Sequence, residues 1–130
     1  MIVLDTHIWY WWTGNSPKLT SRHRELIEAA AEDGLVVSVI SCWEIAKKTQ
    51  IGKLDVDRPV AEWLEYAVSS PAIRLFPLTP AIVVEACQLP GDFHRDPADE
   101  LIVATSRILK IPLLTGDAKI LAYQHVSLLT

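Results

Sequence analysis

Leu35-Val36-Val37-Ser38-Val39-Ile40 is an apolar, largely β-branched run, and Ser41-Cys42-Trp43-Glu44-Ile45-Ala46-Lys47-Lys48 follows it directly. A run without polar alternation suits a strand buried on both faces. Ser41 with Glu44 three residues later has the form of a capping box that opens a helix. Strand passing into helix recurs on either side. Ile2-Val3-Leu4 is a second short buried strand, residues 73–78 and 111–115 are two more, and residues 126–129 are a weaker fifth. Pro77 and Pro112 move their runs towards strand edges or starts. Between them, Thr20 caps a helix reaching Asp33, with Leu26, Ile27, Ala30 and Ala31 on one face and Gly34 as its stop. Pro59 suits the first turn of a helix carrying Val60, Trp63, Leu64 and Ala67. Thr79-Pro80 and Asp96-Pro97 each read as cap plus first helical residue, the latter ahead of Leu101, Ile102, Thr105, Ile108 and Leu109. Residues 116–123 allow one last short helix. The alternation predicts an α/β fold of three layers, a central parallel sheet of four to five strands with helices on both faces.

The chain has 130 residues, 50% of them hydrophobic and 22% charged. That length buries roughly two-thirds of the surface of the unfolded chain, so neither disulfides nor a structural metal is needed. No repeat, linker or low-complexity tract interrupts it. Arg58-Pro59 and Leu89-Pro90-Gly91-Asp92 read as loops inside one domain spanning 1–130. Cys42 and Cys87 lie in apolar stretches without metal-ligand spacing and are expected as small buried residues in a reducing cytosol. The first residues have no basic segment before a long apolar one, and no apolar run approaches the ~20 residues of a membrane span. The expected setting is cytoplasmic, away from any membrane.

A net charge of −4 argues mildly against a nucleic-acid partner, unless several acids are gathered at one place. In an open parallel sheet, ligands bind beyond the carboxyl ends of the strands, where strand order reverses. Asp5 follows the first strand, Glu44 opens the helix after the second, Asp96 and Asp99 open the helix before the fourth, and Asp117 follows the fourth. Each also has a local explanation: Glu44 as capping partner, Asp96 as N-cap, Asp99 as a complement to the helix dipole, Asp117 as a turn residue. Asp5 is the hardest to explain locally, since a carboxylate ending a buried strand is costly unless paired or metal-bound. Carboxylates brought together repel one another, and a divalent cation reverses that penalty. Hard oxygen donors with retained waters suit Mg²⁺ or Mn²⁺. Such ions can bind a phosphate oxygen, generate a nucleophile from water and neutralise a leaving alkoxide. The reading is a metal-dependent phosphodiester hydrolase acting on RNA. His7, His23, His94 and His125 show no ligand spacing, although His7 and His94 lie near the acid edge. Lys47, Lys48, Lys53, Arg95 and Arg22 are candidates to meet the RNA backbone, with Lys47 and Lys48 also placed to hold Glu44.

Leu4-Asp5-Thr6-His7, Ser41 to Lys48 continuing to Ile51-Gly52-Lys53-Leu54, His94-Arg95-Asp96-Pro97-Ala98-Asp99, and Leu114-Thr115-Gly116-Asp117 together resemble a PIN domain of the VapC toxin type, in order and over nearly the whole chain. The resemblance implies strand order 3-2-1-4-5 and Mg²⁺- or Mn²⁺-dependent endoribonuclease activity on structured cellular RNA, often tRNA. It implies catalytic and metal-binding roles for Asp5, Glu44, Asp99 and Asp117, with Asp96, Thr115 and Thr6 in support. It also implies a homodimer and a small antitoxin partner. Glu100 stands where this branch usually has Arg, and Ala98 where a bulkier residue is common. Ile8-Trp9-Tyr10-Trp11-Trp12 is too aromatic to bury on one helix face, so part of it is expected to form a dimer or antitoxin surface; full burial of Trp9, Trp11 and Trp12 would remove that expectation. Other α/β readings fit less well. A haloacid-dehalogenase-type phosphatase wants an acid at position 7, where His7 stands. A receiver domain wants a phosphoacceptor after the third strand, which instead ends in Phe76-Pro77-Leu78-Thr79. A non-catalytic PIN-like RNA- or protein-binding scaffold would tolerate loss of acids, and all four are present.

Overall fold

In the computed structural model, which describes residues 1–130, four strands form one all-parallel sheet: β1 (Ile2–Leu4), β2 (Leu35–Ser38), β3 (Ile73–Phe76) and β4 (Leu113–Leu114), in the order β3-β2-β1-β4. Seven helices accompany them: α1 (Thr6–Thr13), α2 (Ser21–Ala30), α3 (Val39–Gln50), α4 (Val60–Val68), α5 (Pro80–Cys87), α6 (Pro97–Leu109) and α7 (Ala118–Leu121). The expected fifth strand is reduced to one parallel bridge, Leu113 with Leu128, supported by backbone bonds from Leu113 to Ser127 and from Leu129 to Leu113. Residues 126–129 therefore occupy the outer position beside β4 without becoming a regular strand.

Strand periodicity sorts the core into two sides. Ile2, Leu4, Leu35 and Val37 point to a 13-residue cluster that includes Ile8, Trp9, Ile45 and Trp63 from α1, α3 and α4. Val3 and Val36 point the other way, to Ile102 and Val103 of α6, Ile120 and Tyr123. A smaller knot of Ile82, Ala86 and Ala104 joins α5 to α6. β1 and β2 are buried throughout, as their unbroken apolar runs require, while edge strand β3 exposes Arg74 and Leu75.

The boundaries differ from the sequence reading for local reasons. Ser38, not Ser41, caps α3: its hydroxyl accepts the Ile40 amide at 3.2 Å, so the strand ends two residues early and Ser41 is buried within the helix. The capping-box explanation of Glu44 is thereby removed. β3 stops before Pro77, and Pro112 has no N–H to give a ladder, which shortens β4. α2 ends at Ala30 and passes through a turn to Gly34, whose φ of +130° places it where a Cβ would meet Arg74 Cγ at 3.2 Å. Neither cysteine is fully buried. Cys42 is half-buried, with burial pushing its thiol pKa up, and Cys87 is exposed at the end of α5. No helix is long and apolar enough to cross a membrane.

The chain runs β1, β2, β3 in one direction across the sheet and then returns to place β4 on the other side of β1. The reversal sets the carboxyl ends of β1 and β4 side by side. Asp5 leaves one and Thr115 to Asp117 leave the other.

Candidate metal centre

Asp5 is the N-cap of α1 and is 2% exposed. Its Oδ1 accepts the Thr6 amide at 2.8 Å, and the Thr115 hydroxyl donates to its Oδ2 at 2.5 Å. Thr115 Oγ1 in turn accepts the Asp117 amide at 3.0 Å, so one hydroxyl ties the two acids across β1 and β4. Asp117 caps α7, and both amides it receives, from Lys119 and Ile120, fall on Oδ1. Thr115→Val keeps the shape and removes this tie. It leaves a buried carboxylate oxygen short of a donor, so we expect a loss of about 1–3 kcal/mol in denaturant unfolding.

Glu44 reaches the same place from α3. Thr6 Oγ1 donates to Glu44 Oε1 at 2.5 Å, and because that uses its only proton, the Ser41 hydroxyl 2.8 Å away must donate to Thr6. Lys48 Nζ lies 3.6 Å from Glu44 Oε2, one turn along the helix. Asp96 caps α6 by accepting the Asp99 amide at 3.0 Å. Asp99 therefore stands in the first helical turn, where His94 Nε2 meets its Oδ2 at 2.6 Å.

These side chains line a cleft of about 160 Å³. Asp5, Glu44, Asp96, Asp99 and Asp117 form its acidic wall, with Thr6, His7 and Lys48 between them and no hydrophobic residue. Burial and, to a lesser degree, the neighbouring acids act on Asp99. Burial, opposed by the His94 hydrogen bond and assisted by the charges of Asp5, Asp96 and Asp117, raises its pKa from 3.8 to about 6. No three of the His, Cys, Asp and Glu side chains stand close enough to grip an ion as they are. The arrangement is an acidic recess rather than a closed cage. Its donors are hard oxygens, which suits a cation that binds through one or two carboxylates and keeps its waters.

The basic candidates divide. Lys48 reaches the cleft, whereas Lys47 donates to Gln50 at 2.9 Å, and Arg22 pairs with Glu25 and the Thr130 carbonyl. Lys53 and Arg95 are exposed and do not line the cleft. Glu100 is half-buried and also outside the cleft wall, and Ala98 is buried against the core. Of the aromatic segment, Trp9 is fully buried, while Tyr10, Trp11 and Trp12 are half-buried. Trp12 lines a groove of about 480 Å³ with Arg24 and Tyr66.

Sequence reasoning passed over His7 and His94 as ligands and did not foresee either contact. His7 Nε2 accepts the Gly116 amide at 3.0 Å, and its Nδ1 lies 3.6 Å from Asp5 Oδ2. The first of these joins residues 109 apart, a relation no spacing rule reports. His94 stacks on Phe93, which stacks on Tyr123.

The PIN-domain family model matches residues 2–126. Ribonuclease VapC22 of Mycobacterium tuberculosis is 32% identical over 124 residues, 95% of this chain and 92% of that protein. Among solved structures, FitAcB from Neisseria gonorrhoeae superposes with a TM-score of 0.72 at 18% identity, covering 100% of this chain and 97% of the other. A toxin–antitoxin complex from Klebsiella pneumoniae gives 0.64 at 16%, covering 94% and 91%. The shared fold, the near-complete family match and the full-length relative agree: the chain belongs to the PIN-domain family and, within it, groups with the VapC proteins.

Proposed function

We propose that residues 1–130 form one nuclease domain, a divalent-metal-dependent endoribonuclease that acts in the cytoplasm as the toxin of a toxin–antitoxin pair and inhibits translation. The observation that carries this reading is the convergence of Asp5, Glu44, Asp99 and Asp117, from four separate elements, on one small cleft without apolar lining. The ribonuclease name of the VapC22 relative supports the substrate class. The Klebsiella pneumoniae complex supports an antitoxin partner.

Asp5, Asp99 and Asp117 would hold Mg²⁺ or Mn²⁺ directly or through its waters, with Glu44 completing the site. When bound, the ion supplies positive charge to phosphate oxygens and lowers the pKa of a water. The protein's own residues do the positioning. Thr115 fixes Asp5 against Asp117, Thr6 fixes Glu44, and the α6 cap on Asp96 orients the turn that carries Asp99. Lys48, which lines the cleft beside Glu44, would meet a backbone phosphate. Lys47, Lys53 and Arg95 extend the RNA path beyond it. The half-buried Trp11 and Trp12, and exposed Val39, Trp43, Val83 and Val84, supply apolar surface for the antitoxin and for a second copy of the chain.

The test is cleavage of total RNA with Mg²⁺ or Mn²⁺, in parallel with EDTA. Expected is fragmentation that stops on chelation and returns when Mn²⁺ is restored. RNA binding without cleavage under any divalent ion would favour the scaffold reading instead.

A further inference from the structure

We propose that His7 is a positioning residue that locks the turn carrying Asp117 onto the first turn of α1, and so holds Asp5 and Asp117 at one site. The inference rests on the metal reading above for its consequence, but its structural content stands on three observations.

First, His7 Nε2 accepts the Gly116 N–H at 3.0 Å, so that nitrogen carries no proton and a neutral ring carries it on Nδ1. Nδ1 then faces Asp5 Oδ2 at 3.6 Å, beside the Thr115 hydroxyl bonded to the same oxygen. The ring thus has one nitrogen on the Gly116 amide, the residue before Asp117, and the other towards the Asp5 carboxylate. Second, the turn packs closely on the ring at position 116: a Cβ there would lie 3.3 Å from His7 Nε2 and could be fitted only if the imidazole shifted by a few tenths of an ångström. The glycine before Asp117 lets this imidazole approach the turn without displacement. Third, the ring is held from behind by Trp11, edge-on at a centroid distance of 4.9 Å, one helical turn along α1. Trp11 itself packs against the main hydrophobic cluster, so the ring is backed by a side chain that the core holds.

With Thr115, the imidazole makes two independent ties between the β1 and β4 ends. Thr115 binds the Asp117 amide through its hydroxyl, and His7 binds the preceding amide. Losing the His7 tie leaves the Gly116–Asp117 turn joined to the start of α1 through the Thr115 hydroxyl and the ladder bond from the Asp5 amide to the Leu114 carbonyl, ahead of a helix of only four residues.

The experiment compares wild type, His7→Ala and His7→Gln by amide hydrogen exchange without metal and by Mn²⁺ titration calorimetry. The Gln side chain can present its carbonyl oxygen to the Gly116 amide, so it separates the hydrogen bond from the ring. Expected is faster exchange at Gly116 and Asp117 in His7→Ala with core amides unchanged, Mn²⁺ affinity weaker by roughly 10–100-fold, and recovery of most of both in His7→Gln. Unchanged exchange at both amides in His7→Ala overturns the proposal. So does general acceleration over the core, because it marks a merely structural role. Wild type that binds no Mn²⁺ while the exchange results hold would overturn the metal reading and leave the lock standing.

Discussion

Asp5→Asn is expected to yield a folded protein whose single-turnover RNA cleavage is slower by about 10³-fold or more. Asp5 receives donors on both oxygens, the Thr6 amide on Oδ1 and the Thr115 hydroxyl on Oδ2. Asparagine offers one oxygen and one NH₂, so whichever way the amide is turned, one of these donors meets another donor. Thr115 must then rotate its proton away, and its bond to the Asp117 amide is disturbed with it. The charge lost is the most buried of the cleft. A drop of about 4 kcal/mol in transition-state stabilisation corresponds to roughly 10³ in rate, within the several kcal/mol a metal centre supplies. The mismatched donor costs about 1–3 kcal/mol of stability, partly offset by loss of one of the charges that raise the Asp99 pKa. Circular dichroism and a melting curve establish that the variant is folded. Cleavage at the wild-type rate by such a variant removes the nuclease proposal.

The same residues show how far sequence carries the argument. The order of strands and helices is legible because β1 and β2 are buried on both faces and leave unbroken apolar runs. α6 is legible because Asp96-Pro97 marks its start and its apolar residues recur at helical period. The acids could be placed on one edge because parallel sheets put strand ends and helix starts together. What stayed hidden is of two kinds. One is competition between neighbouring caps. Ser38 and Ser41 both precede helix-forming residues, and only the buried position of Ser41, bonded to Thr6, shows that it is not the cap. The other is contact between distant residues. Gly116 with His7 and Thr115 with Asp5 are 109 and 110 residues apart and leave no periodic mark. The fifth strand fails for a third reason: residues 126–129 make only enough backbone bonds for a bridge, and nothing in their composition reports where the chain stops following β4.

The local explanations of the acids prove compatible with the proposed function. Asp5, Asp96 and Asp117 do cap helices. Capping is how the fold fixes them: a cap uses some oxygen lone pairs on backbone amides and so orients the rest. Three helix N-termini pointing at one cleft also bring partial positive charge to it, which partly offsets five carboxylates in a recess of this size. Glu44 is the exception. It caps nothing and is held by Thr6 and Lys48 instead.

The second large effect is at Asp99, and its two parts have opposite signs. Asp99→Asn should abolish metal-dependent cleavage and yet make the metal-free protein more stable at neutral pH. Burial, then the charges of Asp5, Asp96 and Asp117, raise the Asp99 pKa to about 6 in spite of the His94 hydrogen bond, against 3.8 for an ordinary aspartate. Between those values the folded state keeps a proton that the unfolded state has released, so stability falls as pH rises. The stabilisation is complete below about pH 4 and gone once the pH passes the folded value near 6. A difference of about two pH units corresponds to at most about 3 kcal/mol. Solvent at the 17% exposed side chain and dissolved salt reduce this to about 1–2 kcal/mol. The asparagine removes the charge, and its amide can still meet His94 Nε2 as donor or acceptor. In EDTA at pH 8 the variant should melt roughly 4–10 °C above wild type, with the gap closing by about pH 4. Saturating Mn²⁺ should reverse the order, since wild type gains about 2.7 kcal/mol at a hundredfold excess over Kd and the variant gains little. A variant that melts no higher than wild type in EDTA at pH 8 would show that the acids do not strain the metal-free fold, and an unmoved wild-type Tm in Mn²⁺ would show that they do not gather for a cation.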